Sequence, residues 1–173
     1  MPHSPLRILI AWRPGRNGTE AMNCAAWLAR TCEVRIRVAT VLSRGWPLTS
    51  LARLSDHDSW VEREGRNSER AARAAWKAAG ISKGMLDDEP FVSVEASSEA
   101  TALTRMAEDF GADVILLGSE AHSPTGRFRT GSTADALLHY SPIMLGLSPR
   151  GRRLSKNGVT RVNVSYIDTP QSP

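Results

Sequence analysis

Five apolar runs alternate along this chain with stretches of helical periodicity, and that alternation restricts the fold more than any other feature. The runs are LRILIAW (6–12), VRIRVATVL (34–42), PFVSVEA (90–96), DVILLG (113–118) and PIMLGL (142–147). The first is apolar almost throughout, which suits a strand covered on both faces. The second alternates and is rich in β-branched residues. Between them, Pro14, Gly15 and Gly18 break the chain, Thr19 is a candidate N-cap, and Glu20 falls in the first turn. Ala21, Cys24, Ala25 and Leu28 then recur at helical spacing. Residues 51–79 read as one or two helices with a weak spot near Gly65 and a stop at Gly80. A further helix carries Ala100, Leu103, Met106, Ala107 and Phe110 on one face, with Ser97 or Ser98 to cap it and Gly111 to end it. The last, STADALLHY (132–140), should turn Ala134, Leu137 and Leu138 inward. Strands that alternate with helices predict an α/β protein with a doubly wound parallel sheet and right-handed crossovers. Ligands of such sheets bind beyond the carboxyl ends of the strands, so the loops after strands one and four are the places to look.

The bulk numbers exclude several classes. A chain of 173 residues is about one domain, and 41% hydrophobic with 23% charged residues suits a soluble globular protein with a real core. The net charge is +4, and only three of the 22 basic residues are lysines, Lys77, Lys83 and Lys156. The charge is not gathered into one strip, so no nucleic-acid partner is expected. The densest basic patch, PRGRRLSK (149–156), reads as part of a linker over 149–159. Cys24 and Cys32 have neither metal nor redox spacing and read as buried free thiols of a reducing cytoplasm. RILIAW is too short for a signal peptide, and no apolar run approaches the ~20 residues of a membrane helix. The expectation is a cytoplasmic protein with no membrane partner.

The stretch GSEAHSPTGRFRTGST (118–133) joins strand four to the last helix. One reading makes it a phosphate cradle: a helix N-terminus offers unpaired N–H groups, Gly131 admits close approach, Ser132 and Thr133 add hydroxyls, and Arg127 and Arg129 neutralise charge. The other makes it a long turn, with Ser132 as N-cap and Gly131 as a turn residue.

The spacing Gly118, two residues, position 121, nine residues, Gly131-Ser132 resembles the nucleotide loop of the universal stress protein family, in which the second glycine of the pattern is here Ala121. EDFGADVILLGS before the loop, LLHYSPIMLGL after it and ILIAWRPGRNGTEAMNCAAWLA at the start are similar to the family as well, so the likeness spans roughly residues 6–148. It implies a five-stranded sheet of order 3-2-1-4-5, a cytoplasmic role in stress survival, and a homodimer through the last strand. It also implies ATP, with magnesium, as a ligand in those members that bind it. Carried over, the phosphates would meet Gly118, Gly131, Ser132 and Thr133, Val41 would lie against adenine, and Ala11 beneath the nucleoside. Two positions depart from the pattern. Arg13 stands where ATP-binding members often carry Asp, and a guanidinium cannot accept a hydrogen bond, so Arg13 reads as lying in solvent or as reaching a phosphate instead. Ala121 brings a Cβ that costs ~1–2 kcal/mol if the position needs positive φ.

The tail TRVNVSYIDTPQSP (160–173) repeats the pattern of the first strand, Arg7, Ile8, Ile10 and Trp12 matching Arg161, Val162, Val164 and Tyr166. It reads as the start of a second, truncated repeat after a domain over 1–148, or as chance likeness of two apolar strands. No catalytic set emerges. His3, His57, His122 and His139 are scattered, His57 reads as part of a solvated face and His122 as an exposed loop residue, and Trp46 and Trp60 as partly buried. No nucleophile elbow, Walker loop or zinc spacing is present. A non-enzymatic protein is therefore expected. Three functions compete: an ATP-binding stress regulator, a nucleotide-free dimerisation and interaction module of the same family, and another open α/β protein such as a receiver or a flavin carrier. The third lacks an acidic pair at the ends of strands one and three, and RPGRNGT (13–19) offers only Thr19 to a flavin phosphate.

Overall fold

A parallel five-stranded sheet forms in the order β3-β2-β1-β4-β5, as the alternation and the resemblance predict. The structure, a computed structural model, describes residues 4–43, 54–120, 122–151 and 154–165. His3, Trp46, Ala121 and Tyr166 lie outside them. The strands are β1 (Leu6–Ala11), β2 (Val34–Ser43), β3 (Leu86–Ala96), β4 (Val114–Gly118) and β5 (Met144–Ser148). The helices are α1 (Arg16–Leu28), α2 (Leu54–Ala79), α3 (Glu99–Phe110) and α4 (Ser132–Tyr140).

Both faces of the sheet are covered, which is why β1 can be apolar throughout. Ile8 and Ile10 point into one core cluster with Met22, Ile36, Val38 and Trp76, on the side of α1 and α2. Leu9, between them, points into the other with Leu103, Phe110, Ile115 and Leu137, on the side of α3 and α4. All three β1 residues are fully buried.

The ends of α3 follow the expected chemistry. Ser98 accepts a hydrogen bond from the Thr101 backbone N–H at 3.3 Å, and Gly111 closes the helix at φ 66°. That left-handed conformation disfavours any residue with a Cβ. Other expectations need correction. Thr19 does not cap α1. The helix begins four residues earlier, after Gly15 at φ 118°, and the Thr19 hydroxyl donates back to the Gly15 carbonyl at 3.0 Å. Gly18 explains the shift: a Cβ there would lie 2.5 Å from the Trp12 ring, so glycine lets the first turn close over β1. Gly65 is no break either. It is buried inside one 26-residue helix, α2, where a Cβ would come within 3.1 Å of Ser93 Oγ. Leu138 is 52% exposed rather than inward.

His57 is not part of a solvated face. Its Nε2 lies 3.1 Å from both carboxylate oxygens of Glu95, and its ring stacks on Trp60. At the opposite end of the sheet, the guanidiniums of Arg7 and Arg37 lie 4.3 and 4.7 Å from the centre of the Phe110 ring. Arg37 also binds Asp87 at 2.6 Å. Burial pushes the Asp87 carboxyl up, but the hydrogen bond and charge of Arg37 outweigh it, so the group titrates below the usual carboxylate range. The expectation of two buried thiols holds only in part: burial pushes the Cys24 thiol up, but Cys32, past the end of α1, is exposed.

The chain after β5 runs back over α1. Arg150 exchanges backbone hydrogen bonds with the β4–α4 loop, from Gly126 N–H at 2.6 Å and to the Arg127 carbonyl at 3.3 Å. Its guanidinium donates to the Ser123 carbonyl. Gly151 N–H donates to Glu20, Arg30 to the Ser155 carbonyl, and Val159 N–H to the Thr31 hydroxyl. Within the expected linker over 149–159, the described residues are thus tied to the loop and to both ends of α1. Residues 160–165 form no strand and leave Val162 and Val164 exposed.

Candidate functional site

Parallel strands bring the carboxyl ends of β1 and β4 side by side, with the starts of α1, α3 and α4 above them. A cavity of about 60 Å³ opens there, lined by Ala11, Arg13, Gly118, Gly131, Ser132 and Thr133 among others. Six of the eight residues expected at a nucleotide site thus meet at one place. Ala121 lies outside the described residues. Val41 packs into the core on the α3 side and lines neither this cavity nor its neighbour.

Sequence reasoning missed the two residues that dominate the site. Glu99, the first residue of α3, reaches across the cleft. Its carboxylate accepts from Arg13 Nε at 3.0 Å, from Arg13 Nη2, and from the Thr133 hydroxyl at 2.6 Å. Its side chain is only 18% exposed, against 59% for Arg13. Arg13 therefore does not lie free in solvent, because its fork already holds a carboxylate. Glu120 is the second. A Cβ placed on Gly131 would lie 2.0 Å from Glu120 Oε1 and 3.0 Å from its Cδ, so this carboxylate covers the glycine. Both sit near the start of α4, where no described side chain caps the helix and the partial positive charge favours anions. In the sequence Glu99 is legible only as a first-turn acid. Its place beyond the end of β3, at the same carboxyl end of the sheet as the loop, is the available signal. Glu120 stands inside the loop motif itself, an acid where a phosphate is expected.

Gly118 faces protein as well. A Cβ there would lie 1.7 Å from the Asn17 carbonyl oxygen, so the first turn of α1 occupies the space above it. The glycines that would cradle phosphates are thus taken by Asn17 and Glu120, and 60 Å³ is far below the ~300–1,000 Å³ of small-molecule sites. A second cavity, about 320 Å³, lies on the far side of the Arg13–Glu99–Thr133 bridge and includes Ser43, Ser97 and Ser98 in its wall.

The remaining candidates stay apart. His122 and His139 are exposed, and the described residues contain no group of three His, Cys, Asp or Glu side chains placed to hold a metal. No described helix is long and apolar enough to cross a membrane.

Comparison with known proteins agrees with the fold. The model of the Universal stress protein family matches residues 6–146. A universal stress protein of Mycobacterium tuberculosis and one of Mycobacterium bovis are each 30% identical over 175 residues, covering 96% of this chain and 56% of the relative. The chain thus spans about half the length of the curated relatives it matches. Among solved structures, a protein of the universal stress protein family from Burkholderia pseudomallei superposes with a TM-score of 0.61 at 22% identity, covering 83% of this chain and 95% of the other. A universal stress protein in complex with cAMP superposes at 0.57 and 16% identity, covering 84% and 98%. With a five-stranded 3-2-1-4-5 sheet and a family match over nearly all of it, this chain belongs to the universal stress protein family.

Proposed function

We propose that this chain is a nucleotide-free universal stress protein module, non-catalytic and cytoplasmic, that acts through protein association rather than through bound ATP. The observation that carries this reading is the Glu99 carboxylate, held by Arg13 and Thr133 in the middle of the cleft. Glu120 over Gly131 and Asn17 over Gly118 support it. Three anionic phosphates brought to that place would meet two carboxylates at short range and displace a helix turn. The test is calorimetric titration of the purified chain with ATP–Mg²⁺, after denaturing a sample to check for carried-over nucleotide. The expected result is no heat of binding at millimolar ATP and no nucleotide released. Micromolar binding would overturn the reading in favour of an ATP-binding regulator.

The association half of the proposal rests on the β5 edge. Among the described residues β5 pairs only with β4, and Met144 on it is 71% exposed. Tyr140 at the end of α4 is 85% exposed and Leu138 is 52% exposed. Apolar groups beside an open edge mark an association surface. A homodimer through this edge is expected in solution. Met144→Asp places a charge on the exposed start of β5 and should halve the mass seen by light scattering at micromolar concentration, with the circular dichroism spectrum unchanged. A wild-type chain that is already monomeric there sinks the dimer.

A further inference from the structure

We infer that Glu99 is the specificity-determining residue of the cleft, an internal anion that occupies the subsite a phosphate monoester would otherwise take. The inference rests on the closed-cleft reading above and names the group responsible for it.

The geometry is that of a bound ligand. One carboxylate oxygen accepts from Arg13 Nη2 and from the Thr133 hydroxyl, and the other accepts from Arg13 Nε. A phosphate can make the same set of contacts, because the guanidinium fork matches either anion and a hydroxyl donates to either. Glu99 makes them from within the chain, so it loses none of the translational freedom that a free ligand must give up. It therefore competes as if present at very high concentration.

The bridge also divides the space. Arg13, Glu99, Ser132 and Thr133 line both the 60 Å³ cavity and the 320 Å³ cavity. The two become one cleft only when Glu99 leaves, and the joined space is in the range of small-molecule sites. Glu120 is the lesser barrier. It is exposed and can swing outward, whereas Glu99 is held at both oxygens and mostly buried. Ser98, not Glu99, supplies the cap of α3, so removing Glu99 takes away a first-turn acid but leaves the cap in place.

The experiment compares wild type, Glu99→Ala and Glu99→Gln by calorimetry with ATP, with inorganic phosphate and with adenosine. The expected result is that Glu99→Ala gains ATP binding that the wild type lacks at millimolar ATP, in a salt-sensitive manner, and gains phosphate binding but not adenosine binding. Adding Arg13→Ala to that variant should abolish the gain. Glu99→Gln, which keeps the shape and removes the charge, should show a smaller gain in the same direction, and it decides the matter should Glu99→Ala not fold. Folded variants as inert as the wild type overturn the role of Glu99 while leaving the closed-cleft reading standing. A wild type that binds ATP overturns that reading first. Equal gains for adenosine and ATP would make Glu99 a steric plug and overturn its assignment as an anion.

Discussion

Gly118→Ala should lower the stability of this chain by about 3 kcal/mol or more, at or above the upper end of what overpacking a tight core usually costs. The added Cβ would lie 1.7 Å from the Asn17 carbonyl oxygen, 2.5 Å from its carbonyl carbon and 3.0 Å from its Cα. All three are backbone atoms of the first turn of α1, so no side-chain rotation relieves the clash. Either β4 or the start of α1 must move, and both lie against the fully buried β1 core. The backbone at Gly118 does not have positive φ, so the effect is pure contact. Gly15→Ala is the matching control. That residue sits at φ 118° with nothing within 4 Å of a Cβ, and only strain of about 1–3 kcal/mol should appear. Urea denaturation of the two variants separates the mechanisms. Equal losses would mean that α1 does not close on Gly118 in solution.

Phe110→Ala should destabilise the chain by about 3–5 kcal/mol. For a chain of this size that corresponds to a fall in Tm of roughly 6–20 °C. Phe110 is 2% exposed and anchors the core between α3 and the sheet. Its ring also lies near the guanidiniums of Arg7 and Arg37, which are 4.3 and 4.7 Å from its centre. Truncation leaves a void and removes the aromatic ring that these two charges share. Arg37 feels this most, because among the described residues its buried Nε has no hydrogen-bond partner. Phe110→Leu restores most of the volume but not the ring, and should lose less. A Tm within a few degrees of wild type for the alanine variant would show that this end of the sheet is not packed as described.

The elements that local pattern determines are legible in the amino-acid sequence alone. Apolar runs too continuous to be half-solvated demand a sheet covered on both faces, and their alternation with helical periods demands parallel strands. Ser98 and Gly111 bound α3 because capping and the left-handed turn depend only on residues a few positions away. The loop from Gly118 to Thr133 falls at the cleft because strand ends and helix starts follow from the same periodicity. The sequence does not say which groups fill that cleft. Glu99 meets Thr133 across 34 positions and Arg13 across 86. Asn17 covers Gly118 only because Gly18 lets α1 begin early and close on Trp12. His57 finds Glu95 across 38 positions, and Arg150 ties the loop to the chain beyond β5. Each of these depends on how helices pack on the sheet, and packing is decided by shape and exclusion among residues far apart in the chain. Local sequence therefore determines the framework and the place of the site. Tertiary structure alone decides that carboxylates and a helix turn, rather than open glycines, occupy it.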